Sequence, residues 1–180
     1  SSAKKYTGEA TVGFELEFNE LDAELYEEIP EEWGWHTDGS VASGWEALTP
    51  PVKFSEMHQL KSWLNQIEKR CSVKKDCGTH MHVGGFRDAD HAFRFYVACT
   101  LVQHIFVHEI NSKSRHTNGS YCAMERPTEP DHETAWYRGT RYRAVNPCSW
   151  SEHRTIEIRS HQGTLNYNKL LLWADFFNCM

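Results

Sequence analysis

The chain predicts an α+β domain built on a mostly antiparallel sheet, and three observations carry that prediction. Short segments alternate apolar and polar residues at the period of a strand. Hairpin-like pairs of such segments are separated by helical stretches. No internal repeat or low-complexity linker interrupts the pattern. At 180 residues, 39% of them hydrophobic and 13% aromatic, the chain is long enough to bury one core without staples. One domain over residues 1–180 is therefore expected, with the polar residues 1–10 as a flexible N-terminal tail.

Strand signals fall at 11–18, around 33–41, at 44–49, at 78–85, around 141–146 and at 153–160. Helix signals are clear in three places. Ser55 is placed to cap a helix whose Met57, Leu60, Leu64 and Ile67 recur at spacings of three and four. Asp88 opens a longer one through Ala89, Phe93, Val97, Leu101 and Ile105, ending near Asn111. Asn166 caps the last, NYNKLLLWADFFNCM. Between 112 and 140 the sequence is polar and turn-rich, with Gly119, Pro127, Pro130 and Gly139. A loop of that length in a small domain reads as an active-site flap, with Arg115, Tyr121, Arg126 and Arg138 to close on anionic ligands.

Charge and cysteine usage narrow the function classes. The net charge of −6 is uneven: residues 1–50 hold 2 Lys and 12 Asp or Glu, and the rest hold 17 Lys or Arg and 13 Asp or Glu. The acidic run from Glu20 to Glu32 reads as solvated surface. An acidic chain without a basic stripe argues against nucleic-acid binding. No apolar run is long enough to span a membrane, and the polar start SSAKKYTGEA is no signal peptide. The six cysteines are scattered without zinc-ribbon spacing. Free thiols in a reducing compartment, and so a cytoplasmic protein, are expected.

The segment TVGFELEF poses the functional question. Phe14, Leu16 and Phe18 point one way, while Glu15 and Glu17 share the other face, roughly 7 Å apart along the strand. The arrangement recurs twice. In GTHMHVGG, His80 and His82 oppose Met81 and Val83; in RTIEIRSH, Glu157 and Arg159 oppose Ile156 and Ile158. GWEALTPP adds Glu46. If the apolar backs share a core, the polar faces share the other side of one sheet. Four carboxylates with imidazoles suit a hard or borderline divalent ion, Mg²⁺ or Mn²⁺ before Zn²⁺. A solvated face with cross-strand ion pairs is the alternative, each pair contributing about 1 kcal/mol or less. Arginines beside a carboxylate-rich metal centre suit phosphoryl transfer, and Arg138, Arg141, Arg143, Arg154 and Arg159 are available. No P-loop, dinucleotide fingerprint, HExxH or GxSxG is present.

The motifs GFELEF, TDGSV followed by GWEALTPP, CGTHMHVG, YRAVNP and RTIEIRSHQGTL occur in an order that resembles the amidoligases related to glutamine synthetase and to glutamate–cysteine ligases. The resemblance covers residues 11 to about 170. It implies a glutamine-synthetase-like catalytic domain, a curved sheet with helices on its apolar face. It also implies an ATP-dependent carboxylate–amine ligase that forms an amide, peptide or isopeptide, through an acyl phosphate. By this resemblance Glu15, Glu17, Glu46, His80 and Glu157 fall at metal-ligand positions, with His80 also near the ATP phosphates and Arg159 at the transferring phosphate. His82 is a substrate contact or supports a ligand, and Asp38 is an amine-binding group or base. Arg143 and Asn146, with Arg115 and Tyr121 in the loop, become contacts for carboxylate or phosphate. The implied cofactors are ATP with Mg²⁺ or Mn²⁺; the implied partners are small-molecule or peptide acids and amines.

Two other readings of the same residues stand beside this one. A metal-dependent hydrolase would use HxH and carboxylates to hold an activated water. A non-catalytic module would keep nucleotide and metal binding without turnover.

Overall fold

A computed structural model describes residues 8–39, 44–111, 122–126 and 141–180. Its centre is an open sheet in the order β2-β3-β1-β5-β7-β6, with β4 pairing the beginning of β1, and every pairing between these strands is antiparallel. The strands are β1 (Thr11–Asn19), β2 (Gly34–Asp38), β3 (Gly44–Leu48), β4 (Val52–Lys53), β5 (Gly78–Gly84), β6 (Val145–Asn146) and β7 (Ile156–Gln162). The helices are α1 (Ala23–Glu28), α2 (Lys61–Arg70), α3 (Ala89–Ile105), α4 (Trp150–His153) and α5 (Tyr167–Asn178).

The alternation in the sequence sets the sheet's two faces. Val12, Phe14, Leu16 and Phe18 of β1, Met81 and Val83 of β5, and Ile156 and Ile158 of β7 are buried together. Leu64 and Ile67 of α2, Tyr96 and Cys99 of α3, and Leu170, Trp173 and Phe177 of α5 belong to the same core. The opposite face of the same strands carries the glutamates and histidines.

Two of the three expected caps are present. Asp88 accepts the amide of His91 at 2.8 Å and Asn166 that of Lys169 at 3.1 Å, each satisfying an orphan donor of a first turn. Ser55 does not cap. The chain enters a 3₁₀ turn over Phe54–Leu60 and passes directly into α2, with no side-chain cap at either start.

Other expectations need correction. The run Glu20–Glu32 is not only solvated surface. It contains α1, capped by Asp22 at 2.9 Å from the Glu24 amide, and it anchors through the fully buried Leu25, with the buried Trp33 directly after it. Arg70 ties both ends of α1 to α2, 3.2 Å from Asp22 and 3.1 Å from Glu28. The expected stripe of α3 is rotated: Ala92, Tyr96, Cys99 and Thr100 are buried, whereas Leu101 and Ile105 are exposed. A single turn over Phe106–Ile110, wound more loosely than an α-helix, continues α3 to Asn111. The strand expected over 141–146 shrinks to Val145–Asn146. The one expected from 153 begins at Ile156, because α4 and a left-handed Arg154 (φ +57°) precede it.

Gly85, directly after β5, has φ +82°, and a Cβ there would lie 2.1 Å from the Glu9 carbonyl oxygen. Only glycine accepts both that backbone and that approach. All six cysteines are free thiols. Among the described residues, no helix is long and apolar enough to cross a membrane. Most of the predicted flap, with Arg115, Tyr121 and Arg138, lies outside the described residues. Arg126 is exposed.

Candidate metal and phosphate site

Strand register assembles the polar face. Residues directly opposite in an antiparallel pair project to the same side. Glu15 faces His80, Gly13 faces His82, and Glu17 faces Glu46. Further out, His82 faces Glu157, Asn146 faces Glu157, and His36 faces Glu46. Five strands thereby bring Glu15, Glu17, Glu46, His80, His82, Glu157, Arg159 and Asn146 onto one surface.

The groups are close. The Nδ1 of His80 lies 3.0 Å from Glu15 and 3.3 Å from Glu157, and its Nε2 lies 3.8 Å from Glu17. The Nε2 of His82 lies 3.0 Å from Glu15 and 3.9 Å from Glu157. Arg159 donates to Glu157 at 2.8 Å, and Asn146 donates to its other oxygen at 2.5 Å. Glu17 accepts the Gly78 amide at 2.6 Å, and His36 and Glu46 are 2.6 Å apart. Two sets of potential ligand atoms result, each lying within 4.8 Å of one another: Glu15, His82 and Glu157, and Glu17, Asp38 and Glu46.

Burial and mutual charge set the ionisation. Burial alone would push the Glu15 carboxyl up, but hydrogen bonds to His80 and His82 outweigh it and hold the group far below the carboxylate range. Glu157 is similarly opposed by burial, yet the hydrogen bond and charge of His80, with Arg159 and His82, bring it to about 2. Burial disfavours a charged His80, but the hydrogen bonds to Glu15 and Glu157 prevail and raise it to about 9. His82 is raised in the same way, burial being outweighed by its Glu15 hydrogen bond and the two carboxylate charges. Glu46 moves the other way: burial and the nearby Glu15 charge raise it, with His36 and His80 opposing. Both histidine rings are thus shifted toward their charged form by the carboxylates they bridge.

Most of the expected site residues lie among those described, Arg115 and Tyr121 excepted. Glu15, Glu17, Glu46, His80, His82, Glu157 and Arg159 converge. Asp38 joins Glu17 and Glu46 on the β2 side. Asn146, expected to meet substrate, is buried and hydrogen-bonded to Glu157, so it orients a carboxylate. Arg143 is engaged by Glu125 at 2.9 Å. Sequence reasoning missed His36 and Thr155. His36 could have been found from its alternation with Asp38 in GWHTD. Thr155 carries no pattern of its own.

Comparison with known proteins gives the family. Residues 20–132 match the family model described as "Putative amidoligase enzyme". The chain belongs to this amidoligase family. No curated protein matches the chain. The matched span contains Asp38, Glu46, His80 and His82, and the sheet brings Glu15, Glu17, Glu157 and Arg159 to them from outside it.

Proposed function

We propose that this chain is an ATP-dependent carboxylate–amine ligase that forms an amide, peptide or isopeptide, through an acyl phosphate, on a glutamine-synthetase-like catalytic domain. Membership of an amidoligase family supports the reaction class. The observation that carries the reading is the convergence of two carboxylate-rich ligand sets on one face of the sheet, with Arg159 beside them.

The donor sets fit Mg²⁺ or Mn²⁺. One offers two carboxylates and an imidazole, the other three carboxylates, and oxygen-rich sets of this kind suit hard divalent ions. Glu15, His82 and Glu157 would hold one cation; Glu17, Glu46 and Asp38 make a second negative pocket, suited to another cation or to the ammonium form of the amine. His80, between the two sets, is a further ligand or a contact to the ATP phosphates. A cation bound here neutralises charge on the ATP phosphates and on the transferring group.

The chain's own residues do the rest. The Arg159 guanidinium, fixed by Glu157, presents planar N–H donors of the kind that take phosphoryl oxygens as charge moves in transfer. The acid substrate's carboxylate oxygen attacks the γ-phosphorus, and the bond to the ADP oxygen breaks. The amine nitrogen then attacks the acyl carbon, the bond to the phosphate oxygen breaks, and the amine's surplus proton passes to a carboxylate such as Asp38. Arg143, with Arg115 and Tyr121, remains a proposed contact for substrate or nucleotide, whereas the buried Asn146 acts through its grip on Glu157.

The test is ADP and phosphate release with Mg²⁺ or Mn²⁺ over a panel of amino-acid and peptide acids and amines. Release that requires both an acid and an amine supports the ligase. Hydrolysis of an amide without ATP would replace it with the metal-dependent hydrolase.

A further inference from the structure

Outside the ligand sets, Thr155 touches the site through His82. The Oγ1 of Thr155 lies 2.8 Å from Nδ1 of His82, and the other ring nitrogen of His82 is the one facing Glu15 and Glu157.

Thr155 is held from three directions. Arg154, at φ +57°, reverses the chain between α4 and β7 and sets Thr155 immediately before β7. Its carbonyl accepts the Ser149 hydroxyl at 2.7 Å. Its methyl faces a notch in β5 at Gly84, where a Cβ would lie 3.3 Å from Thr155 Cγ2 and 2.9 Å from Thr11 Oγ1. An added methyl at Gly84 would crowd both threonines. The hydroxyl is therefore fixed by the backbone, by packing and by its contact with the ring. The rings of His82 and His153 meet edge to face, with centroids 5.9 Å apart.

We propose that Thr155 is a positioning residue. Its Oγ1 accepts the Nδ1–H of His82, which commits Nε2 to the space between Glu15 and Glu157, where the reading above places a divalent cation and on which this inference rests. A neutral imidazole carries one proton, and the partner of one nitrogen decides whether the other is a ligand. If Thr155 donated instead, Nε2 would carry the proton and could only hydrogen-bond Glu15. The hydroxyl can take either role, so the choice is open to measurement.

The experiment is Mn²⁺ titration of the full chain as wild type, Thr155→Val and Thr155→Ser, with Glu157→Gln as the control for the cation site. Valine keeps the branched shape in the Gly84 notch and removes only the oxygen. Thr155→Val should weaken Mn²⁺ binding by about 10- to 100-fold, and Thr155→Ser should stay within about threefold of wild type. Equal affinity in wild type and Thr155→Val overturns the positioning role and leaves the cation site standing. Absence of Mn²⁺ binding in the wild type overturns the cation site and this inference together. Should Thr155→Val not fold, ¹⁵N NMR of the histidine rings in Mg²⁺-loaded wild type decides the matter: a protonated Nδ1 on His82 supports the role, and an unprotonated one overturns it.

Discussion

Replacing Glu157 by glutamine should destabilise the metal-free protein, although it removes one charge from a crowd of carboxylates. The Glu157 side chain is buried, accepts from Asn146 at 2.5 Å and Arg159 at 2.8 Å, and lies 3.3 Å from His80. Its pKa falls from 4.5 to about 2, since its partners outweigh burial. That depression corresponds to about 3 kcal/mol of stability at neutral pH, in line with about 3–5 kcal/mol for stripping one partner from a buried pair. For a chain of this length such a loss lowers Tm by about 6–12 °C. Because the folded pKa is depressed, this stabilisation is present above pH 4.5 and lost as pH falls through about 2. The gap between wild type and variant should be full at pH 7 and narrow below pH 4.5. Glu46→Gln supplies the opposite sign. Burial and Glu15 raise the Glu46 carboxyl, so its ionised form is disfavoured and a neutral amide should be neutral or mildly stabilising. Urea unfolding in chelator, at pH 7 and pH 4, reads both. Equal losses in the two variants, or a Glu157→Gln curve that overlays the wild type, would refute the charge assignment.

Arg159→Ala should lower ATP-dependent turnover by about 100- to 1,000-fold, while Mn²⁺ affinity measured by titration stays within a few-fold; unchanged turnover would remove Arg159 from phosphoryl transfer. The raised His80 stabilises the metal-free fold fully below its unfolded pKa of 6.5 and ceases to do so as pH rises through about 9, so chelated protein should lose stability across that window. Unfolding curves that do not change over the window would contradict this, and His80→Gln should flatten the loss. Cation binding at imidazolium-bearing ligands displaces protons, so Mn²⁺ affinity should tighten by about tenfold per pH unit for each proton released. Titration calorimetry in buffers of differing ionisation enthalpy would show that release, and buffer-independent heats would exclude it. Gly85→Ala should cost at least about 1–3 kcal/mol, read from the thermal midpoint, because it combines a positive φ with a backbone clash at Glu9.

Much of the site was legible because a strand has a period of two. Glu15 with Glu17, His80 with His82, and Glu157 with Arg159 each declare a shared face, and their apolar backs declare which face is buried. Asp88 and Asn166 were legible as caps because local chemistry alone determines them. What escaped depended on distant partners. The acidic stretch before Trp33 hides α1, since only packing reveals that Leu25 is buried. Helix α3 is apolar nearly all round, so periodicity could not choose between the stripe at Phe93 and Leu101 and the true one at Tyr96 and Cys99. His36 reaches the site only through the pairing of β2 with β3. A register shift between Thr79 and Met81 carries His161 to the helix side, where its ring lies tilted against Trp173 with centroids 4.5 Å apart, although simple alternation would keep it with Glu157 and Arg159.

The paired glutamates of β1 acquire a reason from where that strand runs. It lies inside the sheet, between β3 and β5, so its polar face borders two different neighbours. Glu15 stands opposite His80 and joins His82 and Glu157; Glu17, one pleat further, stands opposite Glu46 and joins Asp38. A spacing of two residues therefore hands one carboxylate to each ligand set. Spacing by one would turn the second glutamate into the core, where Phe14, Leu16 and Phe18 lie. Like charges at this distance repel, and the strand tolerates them because each is answered separately: Glu15 by the rings of His80 and His82, Glu17 by the Gly78 amide at 2.6 Å. The repulsion left between the sets is what a divalent cation would relieve under the function proposed above. A face built this way is costly as a surface, and that cost is what the metal and nucleotide proposed above would offset.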